Sequence, residues 1–156
     1  MKYIFGLFVG FSLFIGGALE AQEMRAPLWA PQLLAELEWI MYKGSCHCKK
    51  VLFQIETDNA YEDLYRCNCS LCKKKSITMK SVHQDSFTLL EGKGCLGLYK
   101  WNKNIAEHFF CKECGVYTHH KRRRYPDQIS VNFACLDDLG LPEEKNILLV
   151  DGGSHD

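Results

Sequence analysis

Seven of the nine cysteines in this chain fall into three tight clusters: Cys46-x-Cys48, Cys67-x-Cys69-x-x-Cys72 and Cys111-x-x-Cys114-Gly115. Thiolates at such short spacings chelate metal, and zinc is the ion that four of them close into a tetrahedral structural site. Two of the clusters together supply four sulfurs. The other supplies three and leaves a coordination position open for chemistry. Nine is an odd number, so a disulfide framework would leave a thiol unpaired, and these spacings suit chelation better than the stapling of loops.

Each cluster has its own geometric logic. In an extended segment, residues two apart point to the same face, so Cys46 and Cys48 present both sulfurs to one ion while His47 points away. In Cys111-x-x-Cys114-Gly115 the glycine permits a turn that aims amide hydrogens at the sulfurs and spreads their charge. The three sulfurs of Cys67, Cys69 and Cys72 reach one ion without help, and a water or a small thiol can take the fourth position. Lys73, Lys74 and Lys75 follow at once; they favour thiolate over thiol there, or form an ordinary solvated turn. Spacing leaves two groupings open: four sulfurs (Cys46, Cys48, Cys111, Cys114) plus three, or a ribbon of Cys69, Cys72, Cys111 and Cys114 with Cys46, Cys48 and Cys67 left over.

Other reactive side chains are less specific. His83, His108, His119 and His120 read as surface or partly buried polar residues, and His47, between two ligands, as the histidine nearest a site. No side chain stands out as a general base. Cys95 and Cys135 lie in strand-like stretches and read as buried apolar residues, and Trp101, Tyr99 and Phe87 as core. Lys121-Arg122-Arg123-Arg124 is either a solvated loop or a clamp for phosphates or carboxylates. The formal net charge of zero gives no bulk field to attract nucleic acid.

The elements that carry these residues are mostly strands. Val51, Phe53 and Ile55 alternate with polar positions, as do Ile129, Val131, Phe133 and Cys135, and period two marks half-buried strands. Shorter candidates are Ser76 to Val82, Ser86 to Leu90, Gly94 to Trp101, Ala106 to Phe110, Val116 to His119 and Ile147 to Val150, separated by turn signals such as Glu91-Gly92-Lys93-Gly94. No long helix is expected after Met41. Upstream the chain differs: residues 1–22 hold an apolar run from Tyr3 to Leu19 with the layout of a signal peptide, a short anchor or a mis-called start. Residues 23–40 read as a linker with a short helix, since Leu33, Leu34, Leu37, Ile40 and Met41 recur at helical spacing. Free thiolate clusters suit a reducing compartment, so the cytoplasm is the expected location, with anchoring or export through residues 1–22 as the alternative.

Residues 41–156 resemble the glutathione-dependent formaldehyde-activating enzyme family, which also includes centromere protein V. The resemblance is carried by Lys43-Gly44-Ser45-Cys46-His47-Cys48, Arg66-Cys67-Asn68-Cys69-Ser70-Leu71-Cys72, Phe110-Cys111-Lys112-Glu113-Cys114-Gly115 and Val131-Asn132-Phe133-Ala134-Cys135-Leu136-Asp137. It implies a mainly β, zinc-stabilised β-tent (Mss4-like) fold with two zinc ions per chain. One is structural, on Cys46, Cys48, Cys111 and Cys114. The other is catalytic, on Cys67, Cys69 and Cys72. The implied activity is that of a carbon–sulfur lyase, like S-(hydroxymethyl)glutathione synthase, acting on a glutathione-derived or similar small thiol adduct in formaldehyde detoxification. The alternative is a non-enzymatic zinc-stabilised module that binds a protein or nucleic acid through the basic loop. An intact three-cysteine cluster favours the enzyme, because a purely structural module needs no open position. Two positions depart from the commonest family pattern: Lys49 stands where a glycine often follows, and Val116 where a small hydroxyl residue does.

Overall fold

The computed structural model describes residues 39–155. The apolar run of residues 1–22 and the helical spacing from Leu33 to Leu37 lie outside the described residues. Among the described residues no helix is long and apolar enough to cross a membrane.

Ten strands form two sheets among these residues. The three-stranded sheet takes β1 (Ile40–Ser45), β2 (Leu52–Thr57) and β5 (Phe87–Glu91) in the order β1-β2-β5. The larger one joins β3 (Tyr65–Cys67), β4 (Met79–His83), β6 (Leu96–Tyr99), β7 (Glu107–Cys111), β8 (Tyr117–Lys121), β9 (Gln128–Asn132) and β10 (Leu148–Val150) in the order β10-β3-β4-β9-β8-β7-β6. Only β10 and β3 run parallel in these pairings. Apolar residues of both sheets meet in one core: Phe53 and Ile55 from β2 with Val82, Ile129 and Val131 from β4 and β9, completed by Leu64, Phe133 and Leu136. The mainly β class therefore holds; period two located β2 and β9, and the shorter candidates between turn signals correspond to β4, β5, β6, β7, β8 and β10.

Three features depart from the expected pattern. Ile40 and Met41, placed by spacing at the end of a helix, begin β1 and pair with Thr57 and Glu56; a ladder along the whole strand satisfies the backbone there and overrides local periodicity. The alternation from Ile129 to Cys135 is a strand only as far as Asn132. There the Asn132 Oδ1 accepts from the Ala134 amide at 3.2 Å and turns the chain into a 3-10 turn, Phe133–Cys135, as asparagine side chains do at turn starts. A short helix, α1 (Ser70–Lys75), stands inside the second cysteine cluster.

The outer face of β9 is buried too, but it is polar. Ser130 accepts from Tyr65 Oη at 2.7 Å and lies 2.7 Å from Ser81 Oγ, and Asn132 Nδ2 donates to the Tyr117 carbonyl at 2.9 Å. Both faces of this central strand are thus committed, one to the apolar core and one to the polar side that carries the cleft described next.

Candidate metal centres

Cys46 and Cys48 sit in a turn immediately after β1, not in an extended segment. The turn is closed by Cys46 N–H to the Val51 carbonyl at 3.0 Å and Lys49 N–H to the Cys46 carbonyl at 2.9 Å. The two sulfurs still meet, 3.6 Å apart, because the turn curls around them. His47 is exposed and belongs to neither sulfur group. The partner pair comes from the turn after β7, where Gly115 N–H returns to the Cys111 carbonyl at 2.8 Å and Gly115 adopts φ +73°. Lys49 has φ +58°, in the left-handed region that favours glycine; a lysine there costs about 1 kcal/mol. Lys50 and Glu113 pair at 2.9 Å across the two turns.

The sulfurs of Cys46, Cys48, Cys111 and Cys114 all lie within 4.8 Å of one another. Cys48 and Cys111 are 3.7 Å apart, close to the edge of about 3.8 Å that a tetrahedron with 2.3 Å zinc–sulfur bonds would have. Electrostatics agrees with that geometry. The amides of Val116 and Cys48 hold the Cys114 thiol down at about 6. Cys48 feels a lowering pull from the Lys50 amide, but loss of solvent and the thiols of Cys46, Cys111 and Cys114 push it up to about 12. Clustered thiols resist ionising together until a cation offsets their charge. Four sulfurs gathered this closely fit zinc.

The second group is Cys67, Cys69 and Cys72, again within 4.8 Å of one another. The structure thus groups the sulfurs four and three, and Cys69 and Cys72 do not join Cys111 and Cys114. Cys67 ends β3, Cys69 is the N-cap of α1, and Cys72 lies in its first turn, its amide donating to Cys69 Sγ at 3.4 Å. Hydrogen bonding to Cys67, then burial, pushes the Cys72 thiol far up, and burial raises Cys69. Lys73 and Lys74 are exposed. The Lys75 ammonium lies 3.6 Å over the Tyr117 ring, and burial brings it down to about 8. Three sulfurs fit zinc with one position remaining.

That position matters because the three cysteines line a cleft of about 170 Å³. Tyr65, Met79, Trp101 and Lys103 also line it, as do Arg122, Arg123 and Arg124. Trp101 is therefore cleft, not core, and Tyr99 is exposed, whereas Phe87 does pack on the core. Of the basic run, Arg122 is fixed by the fold. Its Nη1 donates to Ser81 Oγ at 3.1 Å and to Gln128 Oε1, and its guanidinium lies over the rings of Tyr65 and Tyr125. Arg123 and Arg124 are exposed on the rim.

The histidines divide by strand parity. His119 packs inward, 4.6 Å from the Phe109 ring and 4.7 Å from Phe87. His108 and His120 pair across β7 and β8, stack at 5.2 Å and line the cleft. His108 Nδ1 meets Tyr117 Oη at 2.9 Å, and burial brings its imidazole down to about 4. His120 Nδ1 is enclosed without a hydrogen-bond partner, and burial keeps this ring well below the ordinary histidine range. Both imidazoles are neutral near pH 7. The sequence signal for His120 is that it is two positions from Arg122, which follows the end of β8. Cys135 is buried as expected, whereas Cys95 is half-buried and packs against the four-sulfur group.

The model of the glutathione-dependent formaldehyde-activating enzyme family matches residues 41–148. A crystal structure of a Rhodobacter sphaeroides protein superposes with a TM-score of 0.65 at 32% sequence identity, covering 69% of this chain and 99% of that one.

Proposed function

The chain belongs to the glutathione-dependent formaldehyde-activating enzyme family, and from that premise we propose that residues 41–156 form a carbon–sulfur lyase domain acting on a glutathione adduct. In the synthetic direction the thiol sulfur of glutathione bonds to the carbon of formaldehyde, and the thiol proton passes to the aldehyde oxygen, giving S-hydroxymethylglutathione. The lyase direction reverses each step. One observation carries the reading: the three-sulfur group opens into a cleft edged by Lys103, Arg123 and Arg124, cations suited to the two carboxylates of glutathione. Zinc held by Cys67, Cys69 and Cys72 would supply Lewis acidity, lowering the pKa of a thiol and polarising an aldehyde. Cys46, Cys48, Cys111 and Cys114 would hold the structural ion. Trp101, Met79 and His120 line the same cleft, His120 as a neutral imidazole. Such chemistry needs free thiols, which accords with a cytoplasmic setting.

The test is zinc per chain, measured on protein purified under reducing conditions with and without glutathione, alongside adduct formation from glutathione and formaldehyde. Two equivalents with the second perturbed by glutathione, and adduct formed, are expected. One equivalent indifferent to glutathione, with no adduct, would leave the binding-module alternative.

A further inference from the structure

The family match stops at residue 148, yet the chain beyond it lies directly on the three-cysteine group. β10 runs parallel to β3 with Val150 opposite Cys67, and the Asn68 amide donates to the Val150 carbonyl at 3.1 Å. The chain then passes over the Cys67-Asn68-Cys69 loop. Gly152 N–H and Gly153 N–H both donate to Asn68 Oδ1 at 2.8 Å, and Asn68 Nδ2 donates to Asp151 Oδ1 at 3.1 Å. One side chain, sitting between two of the cysteines, therefore fastens three consecutive residues of the segment.

Gly152 is where the two pieces touch. A Cβ on it would stand 2.4 Å from Cys67 Sγ and 3.2 Å from the Cys69 Cβ. Its φ is not in the left-handed region, unlike those of Gly92 and Gly115. Glycine is required at 152 for space, not for backbone conformation: the segment approaches Cys67 more closely than any side chain allows.

We propose that Val150–Gly153 is a strap that sets the position of Cys67 and Cys69 in the three-sulfur site, with Asn68 and Gly152 as its positioning residues. Metal sites depend on such outer contacts because they fix ligand direction, and their loss typically weakens affinity by 10- to 100-fold. The strap also walls the cleft, since Val150, Asp151 and Gly152 line it. The inference rests on the reading that Cys67, Cys69 and Cys72 hold zinc.

The experiment is a zinc competition titration with a chromophoric chelator on the full chain, comparing wild type, Gly152→Ala and Asn68→Ala. The thiolate-to-metal absorption of the cobalt-loaded proteins and their thermal melts complete the comparison. Wild type should show two equivalents. Gly152→Ala, which pushes a methyl group at Cys67, and Asn68→Ala, which releases the strap without adding bulk, should each weaken only the second equivalent by about 10- to 100-fold. Each should also alter the cobalt–thiolate band. If Gly152→Ala fails to fold, Asn68→Ala decides. Both equivalents at wild-type affinity with an unchanged cobalt spectrum in Asn68→Ala would overturn the strap. A single equivalent in wild type would instead sink the zinc reading on which it depends.

Discussion

Cys69→Ser is expected to yield a folded protein that binds one zinc ion instead of two and has lost at least about 10³-fold in lyase turnover. The loss follows from removing a ligand of the open site, where the ion's charge stabilisation is worth several kcal/mol and each 1.36 kcal/mol is tenfold in rate. The survival of the fold follows from local structure. Cys69 is the N-cap of α1, and serine is among the best N-cap residues, so its hydroxyl can accept the Cys72 amide that the sulfur accepts now. Cys69 is absent from the three apolar core clusters, so the substitution opens no cavity in them. Thermal melting and zinc analysis check the structural half, and adduct formation checks the chemical half. Wholesale unfolding of this variant would mean that the cluster is structural. Retained turnover would mean that the chemistry lies elsewhere.

The same exchange at Cys111 should have the opposite outcome. Cys111→Ser is expected to abolish cooperative folding at ordinary temperatures. Cys111 is fully buried, and its sulfur joins the turn after β1 to the turn after β7, elements of different sheets. Around it, Cys46 and Val51 form a small buried cluster with little apolar area of its own, so an ion held by the four sulfurs would be the main tie at that corner. Structural zinc contributes about 10–16 kcal/mol of apparent folding free energy in small zinc domains, as much as a whole domain's net stability of about 5–15 kcal/mol. Circular dichroism through a thermal ramp should show no transition for this variant, and strong chelation should reproduce that loss in wild type. A Cys111→Ser protein that melts close to wild type would refute the structural role of the four-sulfur site.

These two cysteines were equivalent as letters in the sequence, and what separated them shows how far the sequence reaches. Strands of five or six residues with one apolar face, such as β2, were legible because side-chain direction alternates along the chain itself. β3 was not, since Tyr65, Arg66 and Cys67 form no apolar run, unlike the equally short Leu148, Leu149 and Val150 of β10, and α1 is a single short helix hidden among cysteines. β1 was obscured by its neighbours: Ile40 and Met41 continue a helical spacing from upstream, and only pairing with β2 makes them strand. The turn at Cys46 carries no glycine signature, because Lys49 occupies its left-handed position.

By itself the sequence determined that this chain carries clustered thiolates, that its fold is mainly β and which family it belongs to. All three are written in spacings of two to four residues or in ordered motifs, where bond geometry alone fixes what can meet. Tertiary structure decided the rest. Cys48 meets Cys111 across 63 positions, and Asn68 meets Gly152 across 84. His120 stacks on His108 because of the β7–β8 register. Contacts of that kind depend on how strands pair and how the two sheets share a core, and chain spacing carries no information about distance once the intervening segment can turn freely.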